Sequence, residues 1–172
     1  MKEKIKVIIS NDQKKVKIPT GIRMLIRRCC NATLVMEKFH DSAEISVRFV
    51  DNEEIHRLNK EFRNVDSATD VLSFPLGKVE EDGTANYDVN PETGAKVLGD
   101  IVISVERAEE QAKEFEHSLQ REMAFLTVHS MHHLLGYDHV NGGLEAVRMR
   151  EKEETVLVQL GLPGSNAYTM DE

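Results

Sequence analysis

The sequence predicts an α+β fold, a single domain in which a small, mixed four-stranded sheet is packed with about five helices. Stretches of alternating apolar residues are separated by segments whose apolar residues recur at helical spacing. The predicted elements follow the order β-α-β-α-β-β-α-α-α, which suits a sheet covered by helices. The length of 172 residues and the hydrophobic fraction of 40% suit one domain with one core.

Four strands are predicted from their side-chain patterns. They are Lys4–Ser10, Glu44–Val50, Val71–Phe74 and Leu98–Ser104. The first two alternate polar and apolar residues, which is typical of strands, and the second also carries β-branched residues. The third is stopped by Pro75, because proline cannot donate a hydrogen bond to a neighbouring strand.

Five helices are predicted from apolar spacing and from signals at their ends. They run from Pro19–Gly21 to about His40, from Asp51 to about Phe62, from Ser104 to about Phe115, from Ser118 to Gly136 and from about Gly143 to Leu160. Asp51 with Glu54 resembles a capping box, and Ser104 suits a helix N-cap. Residues 123–128 (MAFLTV) are apolar on nearly all sides, which is typical of a helix buried in the core.

The remaining residues are connections within one domain that covers residues 1–172. Residues 76–97 are predicted to be one acidic loop, because glycine, proline and carboxylate side chains accumulate there. A loop of this length in a small domain is either a lid or mobile. Residues 161–172 are predicted to be a frayed tail that begins at Gly161.

Charge is distributed unevenly along the chain, whose net charge is −8. Residues 1–30 carry nine Lys or Arg and two acids, a balance of +7, and the remainder has a balance of −15. Nucleic-acid-binding domains are more often basic overall. The acidic total therefore argues against tight, non-specific binding of nucleic acids, although it is compatible with a local basic cleft.

The chain is expected to be cytoplasmic and to lack a membrane span. No apolar run approaches the ~20 residues that a spanning helix needs, and the N-terminus has no signal-peptide pattern. Cys29 and Cys30 are adjacent, so a disulfide between them would be strained. We interpret them as two small apolar residues of a helix, with a reactive thiol pair as the alternative.

Four of the seven histidines lie within residues 129–139. His129 and His133 are four residues apart and therefore share one helical face. Gly136 can adopt the left-handed conformation, so the chain can double back and bring His139 against the other two. Three converging imidazoles suit one tetrahedral Zn²⁺ ion per chain, at the end of the buried helix, with its fourth position open. An open position favours catalysis, here hydrolysis, over a structural metal.

Two other interpretations of these histidines are weaker. Histidines on an apolar helix are often core residues with satisfied hydrogen bonds, but burying three neutral imidazoles together is costly without partners for their nitrogens. The spacing also equals that of the HExxHxxGxxH zinc peptidases. Those enzymes use the Glu after the first histidine as general base, and Ser130 occupies that position here.

Three blocks of the sequence carry motifs. Residues 129–139 read HSMHHLLGYDH, residues 59–75 contain NKEFR and TDVLSFP, and residues 98–104 read LGDIVIS. Together they closely resemble the YbeY family of bacterial metal-dependent endoribonucleases, whose signature is HGxxHLxGYDH. Two positions depart from that pattern. Ser130 replaces Gly, and His132 stands where an apolar residue is usual; we expect His132 at the rim of the metal site rather than beside the metal.

The resemblance implies a zinc-dependent, single-strand-specific endoribonuclease that matures the 3′ end of small-subunit ribosomal RNA and acts in ribosome quality control. Its implied partners are ribosomal RNA, the small ribosomal subunit and assembly factors. Arg63 is the catalytic candidate, because a guanidinium can bind two phosphate oxygens. The alternative for Arg63 is a surface salt bridge with Asp66 or Glu61. Asp70 and Asp100 either support a ligand histidine or cap a strand end.

Two other functions are compatible with these residues. One is a zinc hydrolase with a peptidase-like metal site that acts on a different substrate. The other is a non-catalytic ribosome-assembly factor whose metal only stabilises the fold. Ser130 counts against peptidase activity, and the open metal position counts against a purely structural metal.

Overall fold

Four strands form one mixed sheet in the computed structural model of this chain, which describes residues 5–79, 85–136 and 143–162. The strands along these residues are β1 (Ile5–Asn11), β2 (Ala43–Val50), β3 (Val71–Pro75), β4 (Lys78–Val79), β5 (Ala85–Asn86) and β6 (Lys96–Ser104). The helices are α1 (Ile22–Met36), α2 (Asn52–Arg63), α3 (Val105–Glu114), α4 (Leu119–Leu134) and α5 (Gly143–Gln159). The predicted α+β fold is confirmed. None of these helices is long and apolar enough to cross a membrane.

The sheet is parallel except at one edge. Its strand order is β1-β2-β6-β3, with β1, β2 and β6 parallel and β3 antiparallel to β6. The register pairs Val7 with Ile45 and Val47 with Ile101, so apolar side chains of the three parallel strands line up across the sheet. Because side chains alternate along a strand, this register gives the sheet one continuous apolar face.

The helix that carries two of the predicted metal ligands, α4, is covered on two sides. The main hydrophobic cluster joins one sheet face to α1 and α4, with Ile101 and Leu126 among its fully buried members. A second cluster joins α4 to α1 and α5 and includes Val128 and Leu157. This double coverage explains why residues 123–128 are apolar on nearly all sides, as predicted for a buried helix.

The opposite face of the sheet is partly covered by α2. Ile55 and Leu58 of α2 pack against Leu72 of β3 and Val102 of β6. α2 and α4 therefore lie on opposite faces of the sheet, and β3 is the edge strand between them.

Three of the predicted helix starts have a side-chain cap, and the sequence predicted two of these caps, at Asp51 and Ser104. The side-chain oxygens of Asp51, Ser104 and Ser118 accept hydrogen bonds from the backbone N–H three residues later, at 2.9, 3.3 and 3.0 Å. Each bond satisfies an N–H that the first helical turn leaves without a partner. The helices α2, α3 and α4 begin directly after these residues.

Two boundary predictions are wrong. Residues 76–97 are not a single loop, because β4 and β5 pair there and β6 begins at Lys96. Strands of two residues are too short to produce a side-chain period, so the sequence pattern does not reveal them. α1 ends at Met36 instead of near His40, because Lys38 has a left-handed backbone conformation with φ of 57°.

Cys29 and Cys30 are fully buried in α1, which confirms their interpretation as apolar helix residues. Burial raises the pKa of the Cys29 thiol to about 12 and also raises the pKa of Cys30. Because the thiolate is the reactive form, both cysteines are inert at neutral pH.

Candidate active site

α4 brings His129 and His133 together near its C-terminal end. Their Nε2 atoms are 3.1 Å apart, and their ring centroids are 4.7 Å apart with the planes at 80°. Both side chains are partly exposed, so the pair faces an accessible space. The shared face that the four-residue spacing predicted is present in the structure. Their role as metal ligands stays a prediction.

Contacts from three elements hold the last turn of α4 in place. Tyr87, from the segment predicted as a loop, donates a hydrogen bond from its hydroxyl to the Leu134 carbonyl oxygen at 3.0 Å. Gly99 of β6 has φ of 147°, and a Cβ there would lie 2.4 Å from the Phe74 carbonyl oxygen and 2.8 Å from Leu134 Cδ2. Glycine at this position therefore lets α4 and β3 approach β6 closely. Gly136 has φ of 102° and ends the helix as predicted.

Glu153 contacts the histidine pair from a helix outside the histidine motif. Its Oε1 lies 2.9 Å from His129 Nδ1, and its side chain is 4% exposed. An ionised carboxylate can only accept, so Nδ1 of a neutral His129 donates and its Nε2 lone pair is left facing His133. Sequence reasoning does not single out Glu153, although a signal exists. This acid interrupts the apolar stripe of α5, four residues after Met149 and three before Val156.

The two positions that depart from the family signature are both buried. His132 is fully buried, with Nδ1 at 2.9 Å from the Val128 carbonyl oxygen, so its predicted placement at the rim is wrong. Because α4 is covered on two sides, the position three residues after His129 lies inside the helical layer. Ser130 is also fully buried, so its side chain does not face solvent.

The donor set fits a divalent metal ion such as zinc. Two nitrogen ligands of a tetrahedral zinc are about 3.3 Å apart, given Zn–N bonds of ~2.0–2.1 Å, and the histidine pair has 3.1 Å. The contact between Glu153 and His129 is one that metal-binding histidines usually make. The third predicted ligand, His139, lies outside the described residues. Within the described part of the chain, no group of three or more His, Cys, Asp or Glu side chains is arranged to hold a metal.

Arg63 is the last residue of α2, and its side chain is exposed. The two acids considered as its salt-bridge partners are engaged elsewhere. Glu61 pairs with Arg57 at 2.9 Å, and Asp66 Oδ1 lies 2.6 Å from His56 Nε2. Over residues 5–79, 85–136 and 143–162, Arg63 makes no side-chain hydrogen bond or ion pair. The salt-bridge alternative is therefore not observed, and the guanidinium has donors available for a ligand.

The residues next to Arg63 and next to His133 pack near the same end of β3, on opposite faces of the sheet. Phe62, which precedes Arg63, packs edge-on against Phe74 of β3 with ring centroids 5.6 Å apart. The last residue of α4 lies against the other face at the same point, where β3 pairs with β6. Among the described residues no direct contact joins Arg63 to His133.

Asp70 and Asp100 contact neither of the two described histidines in the part of the chain that the structure covers. Asp70 Oδ1 accepts a hydrogen bond from the Val71 N–H at 2.8 Å, and Oδ2 accepts one from Gln111 at 3.3 Å. Asp70 therefore caps the start of β3. Asp100 lines a cavity of about 420 Å³ beside Arg48, on the sheet face that carries α2. Partial burial raises the pKa of the Asp100 carboxyl.

The N-terminal end of α4 carries a second set of buried ionisable groups. Glu122 and Arg121 are almost fully buried, and His117 Nε2 lies 3.2 Å from Glu122 Oε1. Burial, together with the Asp70 carboxylate, raises the pKa of Glu122 to about 7, against the lowering effect of Arg121. Arg121 also pairs with Glu154 of α5 at 3.2 Å. These groups lie close together inside the helical layer, at the opposite end of α4 from the histidine pair.

The sequence model of the family described as endoribonuclease YbeY matches residues 8–161. This chain belongs to the YbeY family. The matched range includes the two described histidines, Arg63 and Glu153, so all of them lie within the part of the chain that YbeY proteins share.

Individual YbeY relatives match nearly the whole chain. Endoribonuclease YbeY of Caldanaerobacter subterraneus subsp. tengcongensis is 52% identical over 156 residues, which cover 91% of this chain and 98% of the relative. The same-named protein of Alkaliphilus metalliredigens is 47% identical over 158 residues, covering 92% and 97%. That of Clostridium botulinum strain Langeland is 45% identical over 164 residues, covering 91% and 98%.

A solved structure shares the fold. The solution structure of TM1509 from Thermotoga maritima matches with a TM-score of 0.54 and 25% sequence identity, covering 91% of both chains. The α+β architecture of this YbeY family member therefore also occurs in a structure determined in solution.

Proposed function

We propose that this chain is a zinc-dependent, single-strand-specific endoribonuclease of the cytoplasm that matures the 3′ end of small-subunit ribosomal RNA and acts in ribosome quality control. Family membership supports endoribonuclease activity, because the relatives carry that name. One observation carries the metal-dependent part of the proposal. The Nε2 atoms of His129 and His133 approach to 3.1 Å, and the buried Glu153 contacts the first of them.

We assign one Zn²⁺ ion per chain to His129, His133 and His139. Neutral imidazoles leave the charge of the ion undiminished, so that when bound it supplies a Lewis acid for a phosphodiester. Three protein ligands leave a fourth position for the substrate. The role of the polypeptide is to hold these ligands in place. α4 sets the spacing of His129 and His133, and Glu153 orients His129.

Arg63 is proposed as the residue that binds the scissile phosphate. A guanidinium offers two parallel N–H donors that match two phosphate oxygens. Its exposed side chain, and the engagement of Glu61 and Asp66 by other residues, support this role. A cation at this point stabilises the negative charge that grows on the phosphate oxygens in the transition state.

Single-stranded RNA of the small ribosomal subunit, with that subunit or its assembly factors, is the proposed partner. A net charge of −8 repels a polyanion at long range, so binding has to depend on local groups such as Arg63. The single-strand specificity follows from the resemblance to the YbeY endoribonucleases and is part of this proposal.

Cleavage assays separate this proposal from its two alternatives. The purified protein is incubated with a labelled single-stranded RNA that spans the 3′ end of the small-subunit precursor, with the same RNA as a duplex, and with casein. Each reaction is run with and without a chelator. We expect cleavage of the single strand only, lost with the chelator and restored by zinc. Casein cleavage would indicate a hydrolase of another class, and zinc binding without any cleavage would indicate an assembly factor.

A further inference from the structure

We propose that Glu153 is a positioning residue of the metal site, so that α5 is part of that site although it lies outside the histidine motif. Glu153 sets the tautomer and the ring orientation of His129, and thereby directs the His129 Nε2 lone pair toward the metal position. This inference rests on the proposed metal-binding function.

The contact between Glu153 and His129 is short and largely buried, as in a specific hydrogen-bonded pair. The Oε1···Nδ1 distance is 2.9 Å, within the range of a charge-assisted hydrogen bond, and the carboxylate is almost fully buried. Burying a carboxylate is costly unless it is paired, and His129 supplies the partner. The other ring nitrogen of His129 is the one that faces His133 at 3.1 Å.

The register of α5 is held on both sides of Glu153. Lys152 Nζ pairs with Glu37 at the end of α1 at 2.8 Å, and Glu154 pairs with Arg121 of α4 at 3.2 Å. Three consecutive residues of α5 therefore each contact another helix, and the middle one reaches the predicted metal ligand. The apolar packing of α5 on α4 adds to this constraint.

The ring of His129 is restrained from a second direction. The Phe125 ring stacks against it with centroids 5.8 Å apart and planes at 28°. Stacking limits how far the imidazole can tilt, but it does not distinguish Nδ1 from Nε2. Among the contacts that His129 makes with the described residues 5–79, 85–136 and 143–162, the hydrogen bond to Glu153 is the one that distinguishes the two nitrogens, and it favours a proton on Nδ1. Without the carboxylate, His129 can place its proton on Nε2, and that tautomer cannot bind a metal through the atom that faces His133.

Zinc affinity and a cobalt spectrum test the role of Glu153. The full-length protein is compared with Glu153→Ala, Glu153→Gln and the control Glu154→Gln, which removes the neighbouring ion pair of the same helix. The zinc dissociation constant is measured by competition with a chelator, the ligand-field absorption is recorded with Co²⁺, and the thermal midpoint of each apoprotein is measured. We expect Glu153→Ala to weaken zinc binding about 10- to 100-fold, the usual cost of losing an outer hydrogen-bond partner of a ligand. Glu153→Gln should weaken it less, because the amide oxygen still accepts.

A purely structural role would give a different pattern. Glu154→Gln would then lower the thermal midpoint as much as the Glu153 variants do, and all variants would keep the wild-type zinc constant and cobalt spectrum, which would overturn the inference. If Glu153→Ala does not fold, the constant and spectrum of Glu153→Gln decide between the same two results. Failure of the wild type to bind zinc would refute the metal-binding function and this inference with it. Tight zinc binding by the wild type and by both Glu153 variants would refute only the role of Glu153.

Discussion

The two parts of the candidate active site are built in opposite ways. His129 lies on a helix covered by the sheet on one side and by α1 and α5 on the other, with a buried carboxylate at one ring nitrogen. Arg63 lies at the exposed end of α2, and its neighbouring acids pair with other residues. A metal ligand needs a fixed position, and core packing provides one. A phosphate-binding residue needs donors that are not already used. The two proposed functions therefore make different physical demands on a structure.

The largest effect is expected from removing one of the predicted metal ligands. Replacing His133 with Ala should abolish stoichiometric zinc binding. The loss of zinc affinity should exceed the about 100-fold cost of removing a residue that only hydrogen-bonds to a ligand, such as Glu153. RNA cleavage should disappear with the metal. The same result is expected for His129→Ala and for His139→Ala. Elemental analysis and cleavage assays measure both effects. His56→Ala, a histidine on α2 outside the site, is the control and should keep its zinc. Full zinc content in all three ligand variants would show that the assignment is wrong.

Replacing Arg63 with Ala should separate catalysis from metal binding. Zinc content and the thermal midpoint should stay unchanged, because Arg63 is exposed and makes no polar contact within the described residues. RNA cleavage should fall about a hundredfold or more, the typical loss for one group that stabilises developing charge. Arg63→Lys should recover only part of the rate, since lysine lacks the paired donors of a guanidinium.

The matched control for Arg63 is Arg57→Ala on the same helix. Arg57 is also exposed, but it is paired with Glu54 and Glu61. Its loss should change stability little and should lower the cleavage rate far less than the loss of Arg63 does. A normal rate in Arg63→Ala, or an equal loss in both variants, would remove Arg63 from the proposed mechanism.

The N-terminal end of α4 provides a contrast with the histidine pair. Its buried ionisable groups are expected to affect stability and not metal binding. The pKa of Glu122 in the folded protein is about 7, above its ordinary value of 4.5. The unfolded chain therefore releases this proton at lower pH than the folded chain, and the stability contributed by Glu122 falls as pH rises from about 4.5 to about 7.

Glu122→Gln should remove this pH-dependent loss. Relative to the wild type, the variant should gain about 2 kcal/mol of unfolding free energy between pH 5 and pH 7, with zinc content unchanged. The difference between the two proteins is the useful quantity, because the pKa of His117 beside Glu122 is lowered by burial and its effect has the opposite sign. Urea unfolding of the apoproteins at the two pH values measures it. A constant difference would contradict the prediction.

The smallest expected effect concerns Ser130. Ser130→Glu restores the peptidase pattern in the sequence, but position 130 is fully buried, so a carboxylate there would not face the solvent-accessible side of the histidine pair. We therefore expect no casein cleavage from this variant, measured beside Ser130→Gly, which should keep zinc and RNA cleavage. Circular dichroism establishes that each protein is folded. Robust casein cleavage by Ser130→Glu would contradict the prediction that a glutamate at position 130 does not make this chain a zinc peptidase.

Much of the fold follows from local rules, and those predictions hold. The predicted caps at Asp51 and Ser104 depend on residues three positions apart, and the shared face of His129 and His133 depends on residues four positions apart. One prediction about burial was wrong. His132 lies in the core and not at a rim, because the apolar pattern that marks residues 123–128 as covered does not continue through the histidines at the end of α4.

The sequence by itself determined the α+β class, the four main strands, the helix starts and the pairing of two histidines on one helical face. Only the tertiary structure decided that Glu153 contacts His129, because that bond joins residues 24 positions apart on two helices whose packing no local period describes. It also decided that Arg63 makes no side-chain ion pair with the residues that the structure describes. Glu61 and Asp66 are near Arg63 in the sequence, but the structure shows that Glu61 pairs with Arg57 and Asp66 with His56.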